Sequence, residues 1–359
     1  MHVDELLTNA INMRASDLHL SVNMPPVVRI DGKLVRMEVP ILTRQNMEEL
    51  LLPILSGEQR RQLEQTWELD MSYSVKNVSR FRLNIYKQCG TYAAAFRSIN
   101  TTPPTFDELG LTEIVQKICE KPRGLILVTG PTGSGKTTTL AAMIDYINST
   151  RAEHILTIED PIEFIHTSKK GVVHQRELGQ DTRSFANALK SALREDPDII
   201  LLGEMRDLET ISLALTAAET GHLVLGTLHT SNAASTVDRI VDVFPEGQQT
   251  QIRIQLASSL VAVLSQTLLP KVLEDGVTKK GRVMAQEILI NNTAIANLIR
   301  EGKTAQIYSI LQTSMGTGMQ TLEAALKTLF KQKEITFEDA LSKTSRQEEF
   351  MRLTGMTTR

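Results

Sequence analysis

The sequence predicts a two-domain α/β protein whose second domain is built on a mainly parallel sheet. The chain has 359 residues, and at roughly 150 residues per domain this length corresponds to two domains, each large enough for its own core. Short apolar runs alternate with helical segments after about residue 122, and a glycine-rich phosphate-binding motif follows the first run. Strands that alternate with helices predict a parallel sheet covered by helices.

Composition narrows the class of protein. Hydrophobic residues make up 41% and charged residues 23%, which is typical of globular proteins, and the net charge is −3. Nucleic-acid binders usually carry a strongly basic footprint, so we expect no nucleic-acid partner. Cys89 and Cys119 do not form a C-x-x-C pair, which predicts reduced thiols in a cytosolic protein rather than a zinc site. No apolar stretch approaches the ~20 residues that span a bilayer, so any membrane role is expected to be peripheral.

The first 100 residues mix a helix with short strands. Val27–Leu34 predicts a hairpin that turns on Asp31-Gly32, because this dipeptide tolerates the positive φ angles of a tight turn. Ser79–Tyr86 alternates apolar and polar positions, and Thr91–Ile99 predicts a second strand. The prolines of the segment after these strands, Thr101–Thr105, break both strand and helix. We therefore expect a domain over 1–100, a linker over 101–121 and a second, larger domain over 122–359.

The second region alternates strand and helix patterns. The predicted buried strands are Leu125–Val128, His154–Ile158, Ile199–Leu202 and Leu223–Leu228. The predicted helices between them are Lys136–Asn148, Ser184–Arg194 and Leu208–Thr220. Apolar residues recur at helical spacing from Glu246 to Leu268, which predicts a further helix, and the remainder reads as mainly helical apart from a strand near Val283–Ile290.

The phosphate-binding motif is the most specific local signal. Residues 130–137 fit G-x-x-x-x-G-K-[ST] without a mismatch, between a predicted strand and a predicted helix. Glycines let backbone N–H groups curl around phosphate oxygens, and the helix N-terminus favours the same anion. Lys136 can reach the β- and γ-phosphates of ATP, and the Thr137 hydroxyl can bind Mg²⁺. The predicted nucleotide-binding residues are Gly130, Pro131, Thr132, Gly133, Ser134, Gly135, Lys136, Thr137 and Thr138.

Two acidic clusters follow predicted strands, where ligands bind in open parallel sheets. One is Ile158–Glu163, and the other is Asp198–Asp207. The second has the apolar run and acid of a Walker B element, but Gly203 occupies the usual aspartate position and the acid is Glu204. Hydrolysis needs an oriented water and a Mg²⁺ whose ligands are fixed by acids. A helix cap or a solvated loop charge is the alternative for any single acid.

Histidines and arginines leave more than one interpretation open. His222 and His229 are seven residues apart and bracket a predicted strand, which puts them at its opposite ends. Capping and core roles are as compatible with this spacing as sensing of the γ-phosphate. Arg80, Arg82 and Arg97 lie on strand-like segments. They could form a solvated face or supply positive charge in trans to a neighbour's nucleotide, as arginine fingers do.

Together these motifs resemble those of the secretion-type P-loop ATPases, the type II/IV secretion ATPase superfamily. Four segments carry the resemblance beside the P-loop: Arg14–Leu20 followed by Pro25-Pro26 and Arg29–Gly32, the Asp box Thr157–Glu163, the atypical Walker B Gly203–Asp207, and the His box Gly221–Thr230. Within the superfamily the chain is most similar to the ATPases that retract type IV pili in twitching motility. The absence of a four-cysteine module and the C-terminal Gln306–Tyr308 and Gly318–Leu322 favour that branch.

The resemblance implies a PAS-like N-terminal domain, a RecA-like ATPase domain with a helical C-terminal region, and a homohexameric ring that uses ATP and Mg²⁺. It implies that Glu163 activates the water, that Glu204 supports Mg²⁺ with Thr137, and that His222 and His229 sense the nucleotide. Arg82 and Arg97 are implied to approach phosphates. The implied partners are an inner-membrane platform protein, indirectly pilin, and a paralogous pilus ATPase, with the ring at the cytoplasmic face of the inner membrane.

One segment departs from the family pattern. Where the retraction ATPases read Ala-Ile-Arg-Asn-Leu-Ile-Arg-Glu, this chain reads Ala294–Glu301 with Ala296 in place of the first arginine. In the family this segment is linked to retraction rather than to fold. A weakened motor or a paralogue of the retraction ATPases is therefore compatible with this departure. Separately, a related ATPase for pilus extension, secretion or DNA transfer and a nucleotide-gated subunit with low turnover are alternative functions.

Overall fold

The computed structural model describes residues 2–30, 32–76, 78–99, 102–273 and 279–356. The chain divides into two compact units, the first comprising Met1–Thr102 with Glu163–Ile165 and the second Pro103–Ile162 with His166–Arg359. Two short helices lie in the stretch 103–121, which belongs to the second unit. The domain and linker bounds predicted from the sequence remain predictions.

The first unit combines three α-helices with an antiparallel sheet in the part of the chain that the structure describes. Its helices are α1 (Val3–Asn12), α2 (Arg44–Leu51) and α3 (Gly57–Thr66), and its strands are β1 (Asp17–Leu20), β2 (Val27–Ile30), β3 (Lys33–Arg36), β4 (Glu68–Val75), β5 (Ser79–Gln88) and β6 (Thr91–Ile99). The strand order is β3-β2-β1-β6-β5-β4. This arrangement confirms the α+β class predicted for the region.

Alternation along the strands sorts their residues between the core and the opposite face. Phe81, Leu83 and Ile85 on β5 are buried, as period-two patterning predicts. The hairpin β2–β3 pairs Ile30 with Lys33. Gly32 in its turn has φ +81°, a left-handed conformation that glycine adopts without steric cost, whereas Asp31 of the predicted turn lies outside the described residues.

The second unit is a seven-stranded sheet with helices. Its strands are β7 (Gly124–Thr129), β8 (His154–Glu159), β9 (Val172–Glu177), β10 (Ile199–Leu202), β11 (Leu223–Leu228), β12 (Leu260–Val272) and β13 (Lys279–Ile290), in the order β13-β12-β7-β11-β10-β8-β9. Only the edge pair β12–β13 is antiparallel among these described strands. The mainly parallel sheet predicted from the sequence is confirmed.

Helices cover this sheet and form the C-terminal region. They are α4 (Phe106–Leu109), α5 (Glu113–Cys119), α6 (Lys136–Thr150), α7 (Phe185–Ala192), α8 (Leu208–Thr220), α9 (Ala233–Asp242), α10 (Glu246–Ser259), α11 (Thr293–Arg300), α12 (Ile307–Thr313), α13 (Leu322–Lys331), α14 (Phe337–Lys343) and α15 (Gln347–Thr354). None of the helices within the described residues is both long enough and apolar enough to cross a membrane.

The helix predicted from Glu246 to Leu268 is wrong over its second half. Helix α10 ends at Ser259, and strand β12 begins at Leu260 and pairs in parallel with β7. Leu260–Leu264 is a continuous apolar run containing two valines, and periodicity alone cannot distinguish such a buried strand from a buried helix. The correction matters because β12 lies beside the strand that leads into the phosphate-binding motif.

Candidate nucleotide-binding site

The phosphate-binding loop joins β7 to α6 and depends on left-handed glycines. Gly130, Gly133 and Gly135 have φ angles of +145°, +78° and +89°, which side chains rarely allow. A Cβ atom added at Gly130 would lie 2.2 Å from the Gln266 carbonyl oxygen and 2.6 Å from Ser134 Oγ. The loop therefore packs tightly against β12. Position 130 requires glycine because a Cβ atom there would clash with the Gln266 backbone.

Lys136, the first residue of α6, folds its amine back over the loop. Its Nζ donates hydrogen bonds to the carbonyl oxygens of Gly130 at 2.9 Å and Pro131 at 3.2 Å. The residue is only 9% exposed. The ammonium is thus held over the loop at the N-terminal end of α6, where the helix dipole also favours an anion.

Strand β12 supplies a contact to the loop that the sequence reasoning missed. Gln266 Nε2 donates to the Ser134 carbonyl oxygen at 2.9 Å, and Gln266 Oε1 accepts a hydrogen bond from Thr139 of α6 at 3.1 Å. Ser265 Oγ lies 2.7 Å from Thr129 Oγ1 at the end of β7. No local pattern marks these residues, since they act through strand pairing in a segment predicted to be helical.

Glu204 follows β10 and lies within a network of positive charge. Its Oε1 is 3.1 Å from His229 Nε2, and its Oε2 is 2.7 Å from an Arg206 guanidinium nitrogen. Burial raises the pKa of the Glu204 carboxyl, whereas the hydrogen bond and charge of Arg206 lower it. His229 and Lys136 add positive potential, so the pKa lies below its ordinary value and the group is a carboxylate at neutral pH.

The glycine before Glu204 explains why this Walker B element lacks the usual aspartate. A Cβ atom at Gly203 would lie 3.2 Å from Glu159 Cα and 3.3 Å from the Ile158 carbonyl oxygen on the neighbouring strand β8. The Gly203 N–H donates to that same oxygen at 2.8 Å. A side chain at position 203 would therefore require β8 to shift by a few tenths of an ångström, and in this chain the acid lies one residue onward, at Glu204.

The first acid of the Asp box, Glu159, is buried at the end of β8. Glu159 is 7% exposed, and its Oε1 accepts hydrogen bonds from Thr157 at 2.7 Å and Gln175 at 3.1 Å. Glu163, by contrast, is exposed, and the short segment Glu163–Ile165 groups with the first unit. The two glutamates of this motif therefore differ in environment.

The two predicted histidines are separated by the whole length of β11. His229 follows the strand at the end where β7 leads into the phosphate-binding loop, whereas His222 precedes the strand and its carbonyl oxygen accepts from the Gly124 N–H at 3.0 Å. Six residues of strand span roughly 20 Å. The His222 ring instead lies 3.0 Å from the Ala217 carbonyl oxygen near the C-terminal end of α8. Of the two, His229 alone is brought to Glu204.

Arg82 and Arg97 are direct cross-strand neighbours in the sheet of the first unit. Arg97 Nε donates to Asp17 Oδ1 at 2.9 Å, although the arginine side chain is 72% exposed. Burial raises the pKa of Asp17, but hydrogen bonds from Ser16 and Arg97 outweigh burial and leave the pKa below its ordinary value. Arg82 is exposed, so the sheet presents both guanidinium groups on the face opposite its core.

Ala296, where the chain departs from the family pattern, lies on the inner face of α11. It is 7% exposed and belongs to the same buried cluster as Ile295 and Ile299. Arg300, the second arginine position of the pattern, is exposed and donates to Asn297 Oδ1 at 2.7 Å. The substitution thus lies in packed core rather than on an open surface.

The second unit therefore gathers the phosphate-binding loop, Glu204 and His229 at the C-terminal ends of β7, β10 and β11, the edge where ligands bind in open parallel sheets. Comparison with known families identifies the protein family that has this arrangement. The family model of the type II/IV secretion system proteins matches residues 1–342. This chain belongs to that family.

Several members of the type II/IV secretion system family are similar over nearly the whole chain. The type IV pilus retraction ATPase PilT of Pseudomonas aeruginosa is 52% identical over 98% of this chain and 100% of its own length. The twitching motility protein of Neisseria gonorrhoeae is 55% identical over 88% of this chain and 83% of its own. A crystal structure of the pilus retraction motor PilT with bound ADP matches with a TM-score of 0.91 and 50% identity over 98% of this chain and 99% of that one. The resemblance and the fold class predicted from the sequence are both confirmed.

Proposed function

We propose that this chain is an ATP-hydrolysing motor that retracts type IV pili. The observation that carries the proposal is the match over 98% of the chain to a retraction ATPase, together with the intact site in which Glu204 meets His229 at 3.1 Å. A P-loop alone would assign a nucleotide, and the full-length similarity supports the motor that uses it.

Each predicted residue has a role in this proposal. The backbone N–H groups of Gly130–Thr138 bind the phosphates of ATP, and Lys136 neutralises their charge. Glu163 orients and activates the attacking water. His229 senses the γ-phosphate through Glu204, whereas the position of His222 supports a structural role for that residue.

Mg²⁺ is proposed as the cofactor because the available donors suit it. The Thr137 hydroxyl and the Glu204 carboxylate are hard oxygen ligands, and Mg²⁺ at nucleotide sites usually keeps waters and phosphates beside one or two protein ligands. Lys136 acts electrostatically on Glu204, which supports a carboxylate that faces the loop. When bound, the ion would neutralise charge that develops on the phosphates.

The assembly and its partners are also proposals. We infer a homohexamer in which Arg82 and Arg97 supply positive charge in trans to the nucleotide of a neighbouring subunit. Their position on the exposed face of the first unit's sheet supports this role. The ring would act at the cytoplasmic face of the inner membrane on a platform protein, indirectly on pilin, and beside a paralogous pilus ATPase.

Experiments in cells test whether the proposed motor retracts pili or extends them. Removal of the gene should abolish twitching and leave excess surface pili, and the native chain should restore both properties whereas a Lys136→Ala variant should not. Complete loss of pili would contradict retraction and favour the related extension or secretion ATPase. Normal pilus dynamics with the Lys136→Ala variant would contradict the requirement for ATP.

A further inference from the structure

Three buried or half-buried glutamines run from the phosphate-binding loop towards the C-terminal region. Gln266 on β12 and Gln286 on β13 lie directly opposite each other in the antiparallel pair, and they are 2% and 6% exposed. Gln286 Nε2 donates to Gln266 Oε1 at 3.3 Å, and Gln320 Nε2 donates to the Gln286 carbonyl oxygen at 2.8 Å. The last residue belongs to the Gly318–Leu322 motif, to which the proposed function gives no task.

The surroundings of Gln266 fix which way its amide points. Thr139 Oγ1 and Gln286 Nε2 both approach Oε1, at 3.1 and 3.3 Å. The Ser134 carbonyl oxygen can only accept, so the end of the amide that faces it at 2.9 Å is the Gln266 nitrogen. An amide turned through 180° would place Gln266 Oε1 against that carbonyl oxygen, so the network selects one orientation.

A bond to the Ser134 carbonyl controls an N–H group of the loop. The Ser134 C=O and the Gly135 N–H belong to one planar trans peptide and therefore point in opposite directions. When Gln266 holds the oxygen towards β12, the Gly135 N–H is aimed away from β12. Gly135 has φ +89°, a left-handed conformation that glycine adopts without steric cost.

We propose that Gln266, oriented by Thr139 and Gln286, is the positioning residue that sets the Ser134–Gly135 peptide for phosphate binding. The inference rests on the proposed function only in taking the loop's ligand to be ATP. Gln266 touches no phosphate itself and acts through the loop's backbone. Preorganised donors of this kind spare the loop the reorganisation that binding an anion would otherwise require.

The hydrogen bonds of the three glutamines also connect the C-terminal region to the phosphate-binding loop. The backbones of Ile288 and Gln320 exchange hydrogen bonds of 2.8 and 3.0 Å, which fix the Gln320 side chain over the Gln286 carbonyl. The Gly318–Leu322 motif therefore buttresses β13 at the point from which Gln286 reaches Gln266. The C-terminal region thus braces the edge strand pair β12–β13, which carries the contact that positions the phosphate-binding loop.

A glutamate substitution at Gln266 tests the orientation directly. In Gln266→Glu, the protonated carboxyl can still donate to the Ser134 oxygen and accept from Thr139, whereas the carboxylate repels that oxygen. Burial should raise the pKa of the introduced carboxyl into the range of about 5–8. We expect the Kd for Mg²⁺-ATP to be about tenfold above that of the native protein at high pH and to approach the native Kd as the pH falls. Gln266→Leu should weaken binding at every pH.

Thr344→Val is the matched control, because Thr344 is also buried and donates to Glu323 Oε1 at 2.6 Å in the C-terminal region. It should lower the melting temperature and leave the Kd unchanged. A pH-independent Kd for Gln266→Glu, or a Kd within about twofold of native for a folded Gln266→Leu protein, would overturn the inference. Failure of the native protein to bind ATP would instead overturn the proposed function, and native binding without hydrolysis would leave this test intact.

Discussion

Glu204 Oε1 lies 3.1 Å from His229 Nε2, while Glu204 Oε2 lies 2.7 Å from Arg206. One carboxylate thus connects the Walker B and His box segments, which follow the neighbouring parallel strands β10 and β11. This pair therefore joins the two segments to which our proposal assigns hydrolysis and nucleotide sensing.

Neutralising Glu204 should stop hydrolysis without preventing nucleotide binding. We expect Glu204→Gln to lower kcat at least about a hundredfold, since charge preorganised for the transition state is lost, while ATP still binds through the loop. Steady-state phosphate release and ATP titration separate the two effects. Glu209→Gln, an exposed glutamate of α8 paired with Lys190, is the control and should retain native kcat. Equal kcat in both variants would contradict the role of Glu204.

The two histidines should give different phenotypes. His229→Ala should lower kcat at least about tenfold, because Glu204 loses the side chain that lies 3.1 Å from its Oε1. His222→Ala should retain the native kcat. It should lower the free energy of unfolding by about 1 kcal/mol, the usual loss for one hydrogen bond. Phosphate release and chemical unfolding measure these effects. Normal stability with lost hydrolysis in the His222→Ala variant would show that His222 is catalytic after all.

Restoring the usual Walker B aspartate should harm the protein. In Gly203→Asp the new Cβ would lie 3.2 Å from Glu159 Cα, so we expect a loss of about 1–3 kcal/mol in the free energy of unfolding, typical of overpacking, and no gain in kcat. Gly247→Ala in α10 is the control, since a Cβ there meets nothing within 4 Å. It should be neutral or stabilising. Faster hydrolysis by a stable Gly203→Asp protein would refute this explanation of the atypical motif.

Glu287 should make stability depend on pH near neutrality. Burial raises the pKa of this carboxyl from 4.5 to about 7, and the negative charge of Glu323 also raises it. Hydrogen bonds from the backbone N–H groups of Ala233 and Leu322 and the charge of Arg346 lower the pKa, but they do not offset burial. The folded state therefore holds this proton more tightly than the unfolded state. Its contribution to stability is complete below about pH 4.5 and is lost as the pH rises through about 7.

Glu287→Gln should remove that dependence. Between about pH 4.5 and 7 the free energy of unfolding of the native protein should fall, relative to this variant, by up to about 3 kcal/mol. Denaturant titrations at several pH values measure the slope. Glu338→Gln on α14, where the glutamate is exposed, should retain the native slope. Parallel curves for the native protein and Glu287→Gln would contradict the raised pKa.

Features encoded in consecutive residues were predictable, and features that depend on distant pairing were not. The phosphate-binding loop and the strands that lead to Glu204 follow from local pattern. Gln266 was missed because its contact with Ser134 joins positions 132 residues apart, in a segment whose apolar run fits helix and strand alike. The role of His222 was also hidden, because its ring reaches Ala217 only through the turn at Gly221, where φ is +128°.

The central claim is that this chain hydrolyses ATP as a motor, and phosphate release by the purified protein tests it most directly. The native chain and a Glu163→Gln variant should be assayed with and without Mg²⁺, with oligomeric mass and ATP binding recorded on the same samples. We predict Mg²⁺-dependent turnover by a native hexamer, and ATP binding without turnover by the variant. ATP binding without phosphate release by the native protein would contradict the motor and indicate a nucleotide-gated subunit.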